Sequence, residues 1–215
     1  MQTIQHEEAR TTGHWQTGVC LGLTVAILCI LVVALSPTPT EATRMVIRLT
    51  ARTSMILFVF AFTASSLLTL ARSPATLWLR NNRRYFGLAF AFSHAVHAAA
   101  LFALWRLNPQ LFDDLTTPAS FWAGGTGYAI ILVMTLTSFP WAASMAGPRA
   151  WQIIHKTGAW FLALFFVVNF GRRAVHVPAM YWPYMVILFA AIAIRLWAGY
   201  RTRKANGAKK TLLGS

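Results

Sequence analysis

Residues 84–106 read Arg84-YFGLAFAFSHAVHAAALFALW-Arg106. The apolar stretch between the two arginines has the length a helix needs to cross hydrocarbon, about 20 residues. Two histidines, His94 and His97, stand in its middle. An ionisable side chain at that depth costs free energy and marks a functional site by default. Their spacing, i and i+3, puts both on one face of the helix.

Outward from this stretch, similar apolar runs recur. Six are counted, at roughly 18–36, 53–71, 85–105, 123–146, 152–171 and 179–199. The connections at 37–52 and 106–122 are too short to fold as domains. The reading is an all-α membrane protein, a six-transmembrane-helix bundle. It divides into an N-terminal segment 1–17, a transmembrane domain 18–199 and a basic tail 200–215. The chain is 57% hydrophobic and has only five acidic residues, a membrane composition. A formal charge of +14 would otherwise point to nucleic acid, but a solvated basic domain is not this apolar, so no nucleic-acid partner is expected. The partner that the composition implies is the lipid bilayer.

Six spans put both termini on one side. That side carries Arg10, Arg72, Arg80, Arg83, Arg84, Arg149 and the basic tail; the other carries Arg44, Arg48, Arg52, Arg106, Arg172 and Arg173. The excess predicts cytoplasmic termini. The first apolar run lacks a clear cleavage site and reads as a retained span. Cys20 and Cys29 lie nine residues apart in that span, on nearly opposite faces, and cannot pair with each other. Trp15, Trp78, Trp105, Trp122, Trp151, Trp182 and Trp197 lie near span ends and read as interfacial anchors. Pro140 and Pro183 fall inside spans and are expected to kink them.

All five acidic residues, Glu7, Glu8, Glu41, Asp113 and Asp114, lie outside the spans. A proton-coupled transporter usually needs an intramembrane carboxylate. No HExxH, GxSxG, GxGxxG or P-loop pattern occurs either. What remains is histidine, whose imidazole is a ligand of haem iron. His97 reads as an axial ligand, or as a neutral histidine bonded to a carbonyl or to Ser65 or Ser66. His94 reads as an alternative ligand, or as a donor near a propionate or quinone. His155, in Trp151-QIIH-Lys156 of the fifth span, reads as a ligand or as an interfacial histidine, and His176 as a surface residue.

Depth leaves the pairing open. His97 lies about 20 Å along a straight helix from Arg84, and His155 about 9 Å from Arg149. If the two helices start level, those histidines differ by about 10 Å in depth, whereas His94 and His155 differ by about 6 Å.

Two stretches carry a resemblance. Arg83-RYFGLAFAFSHAVH-97 resembles the RRxLGLxxFxxxxxH stretch of the ferric-reductase-like transmembrane family, and Thr137-SFPWAASMAGPRAWQIIHK-156 is similar to its LTSxxxAxxxLGxxWxxLHR. The family includes the haem-binding membrane subunit of the methionine-sulfoxide-reductase system. The resemblance covers roughly residues 45–200. It implies b-type haem held by histidines of the third and fifth spans, here His97 and His155 with His94 as the alternative. It also implies electron flow across or within a membrane, here a bacterial inner membrane. The family often has a further histidine on the fifth span, where this sequence has Val168 and Asn169. One haem is therefore implied, with Asn169 as a hydrogen-bonding group at the outer position. Arg83 and Arg84 stand where a propionate or a cofactor phosphate could be paired, or are only the positive-inside signal.

With no flavin or NAD(P)H domain of its own, such a subunit needs a separate electron-donor flavoprotein or the quinone pool, and a redox acceptor on the outer side. Catalysis proper would then belong to a partner. The other reading is a cofactor-free scaffold or assembly protein of the same fold, or one that binds quinone or lipid.

Overall fold

The computed structural model describes residues 15–213, with side chains through Gly207. The described chain is helical, with α1 Trp15–Leu35, α2 Pro39–Leu70, α3 Pro74–Leu107, α4 Pro109–Leu115, α5 Pro118–Leu136, α6 Pro140–His176 and α7 Pro178–Leu213. All but α4 are long and apolar enough to cross a membrane, which gives the six expected spans. The protein is an all-α integral membrane protein.

A local rule sets the helix starts. Every described helix after α1 begins at proline. Proline suits the first helical position because its fixed φ is helical and its missing N–H is one the helix leaves unpaired anyway. The residue before it often caps. Thr38 accepts from the Glu41 N–H, and Ser73 and Thr76 bond reciprocally as a capping box. Asn108 caps α4, and Thr117 caps α5 with Ser120 closing the box.

Three boundaries differ from the sequence reading. Helix α2 starts at Pro39, so Arg44, Arg48 and Arg52 are helical rather than in a connection. A hydropathy scan misses this polar first half, which Thr38 caps and a Glu41–Arg44 pair at 2.6 Å supports. The fourth span ends at Leu136, not near 146, and Pro140 opens α6 instead of kinking a span. Helix α6 is broken at Gly147, whose φ of 76° and ψ of 162° are nearly exclusive to glycine. Pro148 follows, and its lack of an N–H prevents an unbroken ladder there. Pro183 does lie inside a helix, α7. That helix runs to Leu213, so the described part of the basic tail is helical.

Two compact units divide the described residues. One comprises residues 59–83 and those from 163 onward; Phe62, Asn82, Phe170, Met185 and Leu188 are buried in it. The other comprises residues up to 58 together with 84–162, and Thr50, Ser54, Met55 and Ser93 are fully buried in it. Large apolar side chains such as Leu23, Ile30, Phe102, Leu164 and Val186 are exposed, as lipid-facing surface requires. Cys20 and Cys29 are both free thiols.

Candidate functional site

The second unit joins α2 and α3 through hydroxyl groups. Thr50, Thr53 and Ser54 lie at i, i+3 and i+4 on one face of α2. Ser93 on α3 meets all three. Its hydroxyl accepts from Ser54 at 2.9 Å, lies 3.0 Å from Thr53 Oγ1, and donates to the Thr50 carbonyl at 3.2 Å. One turn further along α3, Nδ1 of His97 lies 2.9 Å from Thr50 Oγ1.

The tautomer of His97 follows from the donor count. Thr50 Oγ1 has one hydrogen, and it is 2.6 Å from the Val46 carbonyl. That carbonyl takes the hydrogen. Thr50 therefore offers His97 a lone pair, and Nδ1–H of His97 donates to it. In the neutral imidazole the lone pair is then on Nε2.

His94 lies beside His97, with ring centroids 5.6 Å apart. Its ring also packs on Phe90 at 4.9 Å and on Tyr128 of α5 at 5.6 Å. The Tyr128 hydroxyl is buried and has no hydrogen-bond partner among the described residues.

His155 is held differently. Its Nε2 lies 3.1 Å from Thr137 Oγ1, and the Thr137 hydroxyl is 2.7 Å from the Val133 carbonyl. By the same count, Nε2–H of His155 donates to Thr137, and the lone pair is on Nδ1. Trp151 stacks on His155 at 4.5 Å and donates its indole N–H to the Thr137 carbonyl at 2.9 Å. Trp151 thus joins the end of α5 to α6. The other six tryptophans read as anchors are exposed.

The remaining candidates separate. The Arg84 guanidinium lies over the Phe139 ring at 5.7 Å. Arg83 donates to Ser65 Oγ at 3.0 Å. Asn169 donates its amide to the Phe165 carbonyl of its own helix at 2.8 Å. His176 is exposed, as expected.

The family described as ferric reductase like transmembrane component matches residues 48–166, more than half of the chain. The chain belongs to that family. No curated protein and no solved structure matches it. Membership places this ferric-reductase-like protein among membrane redox proteins, and domains of the family generally bind haem.

The residues present fit such a group at His97. A metal-bound histidine almost always donates its other ring N–H to an oxygen, which fixes tautomer and orientation. Thr50 is that oxygen. Among the described residues no group of three or more His, Cys, Asp or Glu converges.

The sequence reading missed Thr50, Ser93, Thr137 and Tyr128. The first two had a signal, the i, i+3, i+4 hydroxyl stripe facing a span that holds a serine one turn before a histidine. The other two had none: a threonine before a turn and a tyrosine in an apolar run are commonplace.

Proposed function

We propose that this protein is a b-type haem membrane subunit of the ferric-reductase-like family that transfers electrons across or within the membrane. The carrying observation is the Thr50–His97 hydrogen bond, which engages Nδ1 of a half-buried imidazole and leaves Nε2 on the side away from Thr50. His97 would supply one ligand to the haem iron. Two residues one turn apart on one helix cannot straddle a macrocycle, so His94 and His97 do not form the pair between themselves. His155 would supply the other, its Nε2 then leaving Thr137. His94 is the alternative to His97 and lines the same region with Phe90. Arg84 is the arginine suited to pair a haem carboxylate. Asn169 stands at the outer position of the fifth span, with its amide turned to its own helix.

A bound haem supplies a one-electron couple whose potential depends on its axial ligands, their hydrogen bonds and burial. This chain's residues hold and orient the ligands, and the apolar helices around them exclude water. Electrons come from a separate flavoprotein or from the quinone pool and leave to an acceptor on the outer side. The buried Tyr128 hydroxyl beside His94 favours the quinone, because its O–H can donate to a quinone carbonyl. The positive-inside bias supports cytoplasmic termini, and the resemblance to the bacterial methionine-sulfoxide-reductase membrane subunit supports a bacterial inner membrane.

The cofactor-free reading has one observation in its favour, the engagement of His155 Nε2 by Thr137. Electron paramagnetic resonance of the oxidised protein separates the two. A bis-histidine site gives a low-spin signal, which turns high-spin in His155→Ala and disappears with the haem in His97→Ala. A low-spin signal unchanged in both variants rules out this ligand pair.

A further inference from the structure

Trp151 and His155 stand at i and i+4 on one face of α6. Side chains of a helix lean toward its N-terminus, so the His155 ring lies over the turn that carries Trp151. There the two rings stack, with centroids 4.5 Å apart and planes 29° apart. The helix fixes the Cβ of His155 but not the plane of its ring, because the χ2 torsion of histidine is broad. A neighbour must set that plane.

The indole is itself held at both ends. Its stem belongs to α6, and its N–H donates to the Thr137 carbonyl at 2.9 Å. Thr137 caps the C-terminus of α5, where the last carbonyls have no partner within the helix. The same threonine meets His155 Nε2 through its hydroxyl at 3.1 Å. One buried residue thus anchors the indole and touches the edge of the imidazole. A tryptophan serving only as an interfacial anchor stands exposed, as Trp122 of α5 does at 74%. Trp151 is half-buried.

We propose that Trp151 is the positioning residue of His155: its indole, tied to Thr137, sets the imidazole plane in which the ligand meets the iron. The proposal rests on the reading of His155 as a haem ligand. A ring that slides along the indole keeps the stack when Nε2 leaves Thr137, whereas a ring that turns about χ2 loses it. Neighbours that orient a ligand in this way are part of how a protein tunes its metal. In a bis-histidine haem the angle between the two imidazole planes sets the splitting of the iron orbitals. A fixed plane therefore gives one sharp set of g-values, and a free plane gives a spread.

The test uses the full chain in detergent, with and without haem. Three variants accompany the wild type: Trp151→Leu, which keeps apolar bulk and removes the ring; Trp151→Phe, which keeps a ring; and Trp122→Leu, a control at an exposed anchor. Proton NMR of haem-free protein with labelled histidine reads the stack, the His155 signals being assigned by their loss in His155→Ala. The carbon-bound ring protons of His155 are expected upfield in the wild type, because they lie over an aromatic face. The shift is lost in Trp151→Leu, kept in part in Trp151→Phe and unchanged in Trp122→Leu. Electron paramagnetic resonance of the oxidised, haem-loaded protein reads the consequence. The low-spin g-values shift or spread in Trp151→Leu, return toward the wild type in Trp151→Phe and stay in place in Trp122→Leu. Low-spin g-values unchanged in Trp151→Leu overturn the proposal, since a role as apolar bulk alone would leave them so. Should Trp151→Leu fail to fold, the wild type and Trp151→Phe decide, and His155 protons without an upfield shift in the wild type overturn it. A wild type without a low-spin signal, or with one unchanged in His155→Ala, fails the haem reading instead. The NMR result alone then decides whether Trp151 orients His155.

Discussion

Thr50 Oγ1 lies 2.9 Å from Nδ1 of His97 and ties the first half of α2 to the middle of α3. Because the threonine hydrogen is directed to Val46, the bond has one polarity, and it selects one tautomer of the histidine. Thr50→Val removes the acceptor and keeps the shape. Loss of such an outer partner typically lowers metal affinity about 10–100-fold. We expect Thr50→Val to lose haem on dilution by that factor and Thr50→Ser to resemble the wild type. Nitrogen-15 NMR of selectively labelled histidine in haem-free protein reads the same bond without haem. The Nδ1–H form dominates in the wild type and mixes with the Nε2–H form in Thr50→Val. An unchanged spectrum would remove Thr50 from the account.

Ser93 is fully buried and serves three groups of α2. Ser93→Ala leaves the fully buried Ser54 hydroxyl without the oxygen to which it donates. An unsatisfied buried group costs about 1–3 kcal/mol. Thermal unfolding in detergent should show a loss of that order, whereas Ser93→Cys, which keeps a weak acceptor, should lose less.

Trp151 connects Thr137 and His155 across the turn between α5 and α6. Trp151→Phe keeps a ring over the imidazole and loses one hydrogen bond, which in membrane proteins averages about 0.6 kcal/mol. Trp151→Ala removes the stack as well and should cost at least about 2 kcal/mol. If the two variants unfold at the same temperature, the stack contributes nothing to stability.

Gly147 and Gly158 set the course of α6 in different ways. Gly147 has φ of 76°, so Gly147→Ala should destabilise by about 1–3 kcal/mol through the backbone alone. A Cβ at Gly158 would meet Met134 Sδ at 2.5 Å and Ile130 Cγ2 at 3.1 Å. The thioether can swing aside for alanine but not for a larger side chain. Gly158→Ala should be nearly neutral and Gly158→Leu should cost about 1–3 kcal/mol, by chemical or thermal unfolding.

Much of the fold was legible because bilayer length is a strong constraint: six apolar runs became six spans. The boundaries that moved did so for local reasons. Helix α2 begins 14 residues before its apolar run, because Thr38 and Pro39 start it and its first half is polar. The fourth run was read through Pro140 because Phe139 and Trp141 are as apolar as the helix before them, although Ser138 and Pro140 mark a turn. His94, His97 and His155 stood out as rare polar groups in apolar surroundings. Their partners did not. Which oxygen His97 meets depends on helix rotation, and hydropathy does not fix rotation for a helix that is apolar on most sides. Arg83 and Arg84 are neighbours in sequence, yet one bonds Ser65 and the other covers Phe139, a divergence that only the helix path reveals.

The central claim is that His97 holds a haem. The most direct measurement is a dithionite-reduced minus oxidised spectrum of the full chain, expressed with ample haem, with pyridine haemochrome for stoichiometry. The account predicts a Soret band with split α and β bands and about one haem per chain, both abolished in His97→Ala. A wild-type chain that folds without any such bands, or a His97→Ala chain that keeps them in full, would contradict it.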